Sequence, residues 1–458
     1  MTGSGRLPGH VMTRGLRRLG ALLTAFTERY IPDAFAFAML LTFGVFGLAL
    51  AFGDHGPVDL VNDWYRGFWD LLAFSMQISL VLVTGHALAS APLVRRGLTR
   101  LSAIPANGRS AVALTAFCAG ALGLIHWGLG LVAGALLARE VTQSAHRRGI
   151  RVHLPLVAAA GYFGLVVWHS GLSGSAPLLV NTEGHFLQAS IGLVPLSETL
   201  FRPLNIAYVS VVLGIGPFLL ASMHPDDGEV LEIEAPSENR EPRRPSASPS
   251  GRVERLAHSP VLVWPILAAA ATYVVPHVWR AGLMAVDLNL VNFAFLMLGL
   301  ALHVSLADYA EAAIDGARAA SGVILQFPFY AGIMGLMVHS GLVRVVAAAF
   351  VAVSTPFTFP FWALVSAALV NLAVPSGGGQ WAVQGPFIVE AARELGVDTG
   401  RAVMAVVFGD QVTNMIQPFW ALPLLGITGL RPGQILGYTA VLMMLAFGAA
   451  AVAITLLP

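Results

Sequence analysis

The sequence predicts an all-α polytopic membrane protein, built from two inverted repeats with re-entrant hairpins and discontinuous transmembrane helices. Three observations carry this prediction. The 458 residues are 56% hydrophobic and only 11% charged, whereas soluble proteins carry about 25% charged residues. Long uncharged stretches contain glycine and polar residues in mid-run, and short sequence patterns of the first half recur in the second. The formal net charge of +1 makes a nucleic-acid partner unexpected.

Candidate membrane spans are stretches of about 20 mostly apolar residues. They lie at 34–53, 69–91, 154–171, 203–222, 259–278, 288–306, 319–340, 402–417 and 434–457. Two further uncharged stretches, 110–138 and 345–389, are too long for one comfortable span and carry glycine and polar groups inside. We expect these two stretches to enter the membrane and to turn within it.

The charged residues of the loops predict the orientation. Arginines precede the first span and cluster at 95–109 and at 139–151, whereas the loops 54–66 and 181–199 lean acidic. Because positively charged loops tend to stay in the cytoplasm, we expect a cytoplasmic N-terminus.

The same reading divides the chain into segments. Residues 1–29 form a basic cytoplasmic segment, and 223–258, rich in proline, serine and both charges, form a disordered cytoplasmic linker. The first transmembrane repeat then occupies 30–222. The second occupies 259–458, with one preceding linking span.

The halves match each other in sequence. "FAFAML" at 35–40 returns as "FAFLML" at 293–298, "LVR" at 93–95 returns at 342–344, and further matches keep the same order. The predicted spans place the two "FAF" segments in opposite directions across the membrane, so the repeats are inverted. Inverted repeats with interrupted helices are typical of secondary transporters, whose substrate site lies near the bilayer midplane.

The two over-long stretches supply the first group of candidate site residues. We expect "PSGGGQ" at 375–380 to be a hairpin tip entering from outside, and "HWGLG" at 126–130 to be its repeat-mate from inside, with Gly130 matched to Gly377. Non-helical backbone is tolerated at this depth only beside protein or a cavity, and N–H groups at a helix start favour anions. The substrate-binding candidates here are Ser376, Gly377, Gly378, Gly379, Gln380, Trp127 and Gly128.

A second group surrounds the one ionisable residue between 402 and 430, Asp410. A charge within a span is costly and usually functional, so Asp410, with Thr413, is the candidate for cation coupling. It could instead cap a half-helix or pair with an arginine. The polar segment that follows, and its repeat-mate at 168–185, supply the remaining substrate-binding candidates, Asn414, Gln417, Ser173 and Ser175.

Structural roles are open for several of these residues. Asn414 and Gln417 could join helices without touching a ligand, and His126 and His169 could pack against carbonyls or move protons. The tryptophans beside the breaks could line a pocket, which we favour, or anchor packing; they are Trp127, Trp381 and Trp420.

The ligand is expected to be a small carboxylate with one negative charge and an apolar tail. The four broken elements hold no arginine at depth, and the chain has no lysine, so a multiply charged anion would lack a fixed cation. Co-transported H⁺ or Na⁺ could balance the charge. No other cofactor, no metal site and no catalytic residue is predicted, and the expected partners are the carboxylate, the lipid bilayer and a possible second copy of the chain.

The chain resembles the short-chain fatty acid transporter family (AtoE type). The resemblance is carried by "VPSGGGQWAVQGP" at 374–386, "GDQVTNMIQPFWALPLLG" at 409–426 and "WHSGLSGSAPLLV" at 168–180. It implies a carrier rather than an enzyme, which takes up acetoacetate, butyrate and similar carboxylates across the bacterial inner membrane. The family looks akin to the ion-transporter superfamily, whose members pair hairpins with broken helices and often work as elevators. His126 and Ser170 depart from the family pattern, which has asparagine and glycine there.

Other functions remain open at this point. A carrier for a dicarboxylate, citrate or aminobenzoyl-glutamate would share the architecture, and a channel would share the hydropathy. An intramembrane serine protease is suggested by "GLSG" at 171–174, with His126 or His169 as base.

Overall fold

The described part of the chain is helical throughout. The computed structural model describes residues 34–225, 251–282, 286–303, 305–372 and 374–458, with isolated positions before residue 30 and at 230. Within these ranges the chain forms α-helices and short 3₁₀ turns and no β-strand, so the predicted helical class is confirmed. Most of the predicted segment 1–29 and most of the predicted linker lie outside the described residues. The last part of the linker is not irregular, because Arg252–Ala257 is a helix.

The first half contains ten α-helices in its described residues. They are α1 (Ala34–Phe52), α2 (Pro57–Asp70), α3 (Leu72–Ser90), α4 (Pro92–Ser102), α5 (Gly108–Ile125), α6 (Trp127–Arg147), α7 (Leu154–Gly161), α8 (Ser175–Val180), α9 (Gln188–Ile191) and α10 (Pro203–Ser222). Two 3₁₀ turns, Phe163–Val166 and Trp168–Ser170, join α7 to α8, and a third, Leu196–Glu198, precedes α10.

The second half follows two joining helices. These are α11 (Arg252–Ala257) and α12 (Val263–Ala281), and the half itself comprises α13 (Leu288–His303), α14 (Leu306–His339), α15 (Leu342–Val353), α16 (Phe359–Asn371), α17 (Gly377–Leu395), α18 (Thr399–Thr413), α19 (Pro418–Thr428) and α20 (Pro432–Leu456). The 3₁₀ turn Asn414–Ile416 joins α18 to α19.

Helix order and length repeat between the halves. Together α2 and α3 cover 57–90 with one interruption at Leu71, and α14 covers 306–339 without one, 249 residues further along. The short helices α4 and α15 begin 250 residues apart, and each precedes a pair of helices with a short break between them. This supports the predicted duplication, while its inverted orientation stays a prediction.

Several helices are suited to cross a membrane. Within the described ranges five helices are long and apolar enough, at Leu72–Ser90, Gly108–Ile125, Pro203–Ser222, Ala320–His339 and Pro432–Leu456, and shorter apolar helices accompany them. The span predicted at 154–171 is interrupted, because α7 ends at Gly161 and two 3₁₀ turns follow. The chain is therefore a multi-pass membrane protein in which some spans are interrupted.

A histidine outside the membrane helices gives a pH prediction. His55 lies in the turn between α1 and α2, with its Nδ1 2.6 Å from Asp63 Oδ2. The hydrogen bond to Asp63, helped by the negative charges of Asp63, Asp59 and Asp54, raises the pKa of His55 above 6.5 although partial burial opposes it. Because the folded chain favours the imidazolium, this stabilisation is complete below about pH 6.5 and is lost as the pH rises through the raised pKa.

We therefore expect the unfolding temperature of the detergent-solubilised protein to fall between about pH 6 and about pH 8.5, by a small amount because the pair is partly exposed. The His55→Gln variant should not show this fall in unfolding temperature. If the unfolding temperatures of wild type and variant depend on pH in the same way, the stabilising role of His55 is contradicted.

Candidate functional site

Two helix pairs are interrupted, α5–α6 by His126 alone and α16–α17 by residues 372–376. The residues that precede the second helix of each pair have the same backbone conformation. His126 lies between α5 and α6 with φ −157° and ψ 116°, and Ser376 precedes α17 with φ −157° and ψ 109°. Each side chain caps its following helix: His126 Nδ1 accepts the N–H of Leu129, and Ser376 Oγ accepts the N–H of Gly379. We call α5–α6 hairpin 1 and α16–α17 hairpin 2.

This geometry corrects one predicted correspondence. The capping residues are 250 residues apart, so His126 corresponds to Ser376 and Trp127 to Gly377. Gly130 is not at the tip of hairpin 1. A Cβ at Gly130 would lie 2.5 Å from the Cα of Gly123, so this glycine lets α5 and α6 pack closely.

The two interrupted helices, α7–α8 and α18–α19, contact each other at their breaks. His169 Nδ1 lies 2.6 Å from Asp410 Oδ2. The next residue of each segment also pairs, since the Gln411 side chain accepts the N–H of Ser170 and donates to its Oγ at 2.7 Å. Asp410 is thus held by a histidine rather than by an arginine or as a helix cap.

The hydrogen bonds of His169 fix its tautomer. Nε2 accepts the N–H of Ala176 at 3.1 Å, so the ring proton is on Nδ1 and is donated to Asp410. The neutral imidazole does not cancel the negative charge of the carboxylate. Asp410 is 1% exposed, and its Oδ1 has no hydrogen-bond partner in the part of the chain that the structure describes.

Asn371, the last residue of α16, organises the neighbouring turn. Its Nδ2 contacts the carbonyl of Asp410 at 2.6 Å, Thr413 Oγ1 at 2.9 Å and Asn414 Oδ1 at 2.8 Å. Its own carbonyl accepts from Gln417 Nε2 at 2.5 Å. Asn371 therefore ties hairpin 2 to the break after α18.

The hairpin tips and the interrupted helices meet at a cavity of about 20 Å³, room for about one water molecule. Its lining is mostly apolar and contains no charged side chain. It consists of Ile78, Trp127, Leu165, Trp168, Ser175, Ser376, Gly377, Gly378, Asn414 and Trp420.

Six of the predicted substrate-binding residues line this cavity, and five do not. Those that line it are Trp127, Ser175, Ser376, Gly377, Gly378 and Asn414. The others have different neighbours: Gly128 packs against Gly85, and a Cβ at Gly379 would meet Tyr330. Gln380 donates to the Ala367 carbonyl and to Gln384.

The remaining two are engaged in backbone contacts. Ser173 Oγ accepts the backbone N–H of Trp127 at 2.9 Å, and Gln417 donates to the Asn371 carbonyl. Thr413, predicted with Asp410, accepts from Asn371. These polar groups support the site because they hold its backbone in place.

Sequence reasoning missed four lining or supporting residues. Ile78 and Leu165 are ordinary apolar residues of predicted spans, and nothing in the sequence distinguishes them as lining residues. Trp168 begins the motif at 168–180, and Asn371 lies three residues before the motif at 374–386. A tryptophan or asparagine near a break is the signal that could have identified them. Trp381, expected to line a pocket, is fully buried and is not among the lining residues.

The contacts of His126 and His169 bear on the alternative of an intramembrane serine protease. His126 caps α6, and its Nε2 is 3.4 Å from Thr84 Oγ1. Neither it nor His169 makes a described hydrogen bond to Ser173, whose hydroxyl contacts a backbone N–H instead. The arrangement of a serine nucleophile and a histidine base is not seen among the described residues.

Known proteins resemble the whole chain. The family model for short chain fatty acid transporters matches residues 15–457. A protein of Escherichia coli K12 described as a candidate short-chain fatty acid transporter is 40% identical over 428 residues, covering 92% of this chain and 95% of that protein. A Haemophilus influenzae protein with the same description is 38% identical over 432 residues, covering 92% and 96%.

A solved structure shares the fold. The YdaH transporter of Alcanivorax borkumensis, whose crystal structure has an unusual topology, matches with a TM-score of 0.58 and 15% identity, over 93% of this chain and 98% of that one. At this identity the likeness concerns the fold alone. The family match and the two relatives show that this chain belongs to the short-chain fatty acid transporter family.

Proposed function

We propose that this chain is a secondary carrier that imports short-chain monocarboxylates, such as butyrate or acetoacetate, together with a cation across the bacterial inner membrane. Its N-terminus is cytoplasmic in this proposal. The observation that carries it is the cavity at which both hairpin tips and both interrupted helices meet, because carriers with repeated halves place their substrate at such a junction.

The hairpin tips suit a carboxylate. The N–H groups of Gly128, Gly377 and Gly378 lie in the first turns of α6 and α17 and find no acceptor among the described residues. Such groups, together with the helix dipole, favour an anion. Ile78, Leu165 and the tryptophans provide apolar walls for a short tail.

The absence of charge in the lining argues for one carboxylate. A dicarboxylate, citrate or aminobenzoyl-glutamate brings two or more negative charges, and burying each without a cation costs several kcal/mol, on the order of the penalty for an unpaired buried ion. The lining residues offer only neutral donors. Carriers for these larger anions are therefore the weaker alternative.

Asp410 is the coupling residue in this proposal. Its carboxylate lies beside a neutral imidazole, and Oδ1 has no partner among the described residues. A proton or a sodium ion at Oδ1 would neutralise a charge that is expensive at this depth. The His169 ring touches the tip of hairpin 2, since a Cβ at Gly377 would be 2.8 Å from its Cε1, so the charge state of Asp410 can influence the cavity.

Transport into proteoliposomes tests the function. With labelled butyrate, acetoacetate and succinate, and an imposed H⁺ or Na⁺ gradient, we expect concentrative uptake of the two monocarboxylates and little uptake of succinate. Unlabelled butyrate loaded inside should accelerate labelled uptake, as a carrier requires and a channel does not show. Preferred uptake of succinate, or no counterflow, would contradict the proposal.

A further inference from the structure

We propose that the indole N–H groups of Trp127 and Trp168 bind the substrate carboxylate and make the site selective for a single negative charge. This inference rests on the proposed function, because it assigns the donors within the same cavity. Both tryptophans line the cavity, and their side chains are almost completely buried, with 4% and 6% exposure.

Both indole N–H groups lack an acceptor among the described residues. An indole nitrogen only donates, and buried donors in native proteins nearly always have a partner. A ligand that satisfies both tryptophans must therefore present acceptor oxygens. A carboxylate does so with two, and it strengthens the bonds because it is charged.

The benzo ring of Trp168 lies at the tip of hairpin 2. A Cβ at Gly377 would lie 2.6 Å from Cη2 and 3.0 Å from Cζ2 of Trp168. The Cη2–Cζ2 edge of the benzo ring therefore faces Gly377. Cζ2 is bonded to the ring carbon that carries Nε1, so the N–H group adjoins this edge.

Trp127 brings the corresponding donor from hairpin 1. It is the first residue of α6, and its ring centre lies 5.7 Å from that of Trp168. Trp420 packs edge-on against it at 5.5 Å. Hairpin 1 thus contributes an indole and a helix N-terminus, hairpin 2 contributes a helix N-terminus, and the 3₁₀ turn before α8 contributes the second indole. All of these are neutral donors, which suffices for one carboxylate and leaves no donor for a second.

An unpartnered indole is not sufficient to define a site. Trp64 and Trp381 also have buried N–H groups without acceptors among the described residues, but neither lines the cavity. The position of Trp127 and Trp168 beside the hairpin tips is what distinguishes them. Trp381 is therefore a matched control, because it is a buried indole of hairpin 2 outside the cavity.

The test removes the N–H group and keeps an aromatic ring. We compare wild type with Trp127→Phe, Trp168→Phe and the control Trp381→Phe, all full-length and reconstituted, and measure equilibrium binding and uptake of labelled butyrate. Loss of a hydrogen bond to a charged group should weaken butyrate binding by about tenfold to hundredfold in each cavity variant. Trp381→Phe should bind within about threefold of wild type, which is below the effect of one such bond.

A shape-preserving variant separates the bond from packing. Replacing Trp168 by β-(3-benzothienyl)alanine exchanges the N–H group for sulfur and retains the ring size, so it should show the same loss of affinity. Wild-type affinity in this variant and in Trp127→Phe would overturn the inference, as would an equal loss in Trp381→Phe. If wild type itself binds no monocarboxylate, the proposed function fails together with the inference; if wild type transports butyrate and the variants bind it normally, the inference alone fails.

Discussion

Asp410→Asn is expected to abolish concentrative uptake of butyrate while leaving exchange of butyrate partly intact. During exchange, the carrier is loaded with substrate in both directions of its cycle, so no net movement of the cation is required. In accumulation, the cation gradient must be coupled to the cycle, and the amide cannot bind a proton or a sodium ion as the carboxylate does. The accumulation ratio should fall to about one, the value for an uncoupled carrier.

The structure indicates that Asp410→Asn removes the charge without altering the local geometry. The asparagine oxygen can still accept from His169 Nδ1, which lies 2.6 Å from Oδ2 in wild type, while its amide group occupies the place of Oδ1, which has no partner among the described residues. The geometry of the break is retained and the charge is removed. Removing a buried charge also relieves its cost, so we expect no loss of folded protein.

The matched control is Asp315→Asn. Asp315 pairs with Arg318 at 2.6 Å near the surface of α14, and a surface pair of this kind contributes at most about 1 kcal/mol. Accumulation by this variant should equal that of wild type. Undiminished accumulation in Asp410→Asn would remove Asp410 from the coupling mechanism.

The interruptions of the helices were predictable because their residues conflict with their surroundings. Three consecutive glycines after Ser376, and a histidine before Trp127, are unfavourable within an apolar helix. The element order confirms breaks at both places. A single charge within an apolar segment likewise identified Asp410 as exceptional before its partner was known.

The contacts between segments could not be predicted in the same way. His169 and Asp410 are 241 residues apart, and only the packing of the two breaks determines that they meet. The match of Gly130 to Gly377 is wrong because the two glycines have different roles. A Cβ at Gly130 would meet the Cα of Gly123 in the neighbouring helix, whereas a Cβ at Gly377 would meet Trp168 at the tip. In the sequence, Asn371 is recognisable only as the end of a helix. Its three side-chain contacts depend on how distant segments pack.

Gly377→Ala is the second substitution for which we expect a large effect, a loss of butyrate affinity. The added Cβ would lie 2.6 Å from Trp168 Cη2 and 2.8 Å from His169 Cε1. Neither ring can move away easily, since His169 is held by Asp410 and by the N–H of Ala176, and Trp168 stacks on His169 with ring centres 4.4 Å apart. Overpacking of this kind costs about 1–3 kcal/mol, which corresponds to about fivefold to 150-fold weaker binding if the strain falls on the bound state.

Gly426→Ala in α19 is the matched control, because a Cβ there meets no atom within 4 Å. It should bind butyrate normally and unfold at a slightly higher temperature, since alanine is favoured over glycine in a helix. Normal butyrate affinity in Gly377→Ala would mean that the tip of hairpin 2 does not shape the site.

A double-mutant cycle identifies which contact carries the effect of Gly377→Ala. Phenylalanine at position 168 has no atom equivalent to Cη2 of the indole, so the clash is relieved there, although Trp168→Phe itself weakens binding. The alanine should therefore cost less in the Trp168→Phe background than in wild type, and the two substitutions should be non-additive, as expected for residues in contact. Strict additivity of the two affinity losses would show that the alanine acts through His169 or through the backbone, and not through the indole.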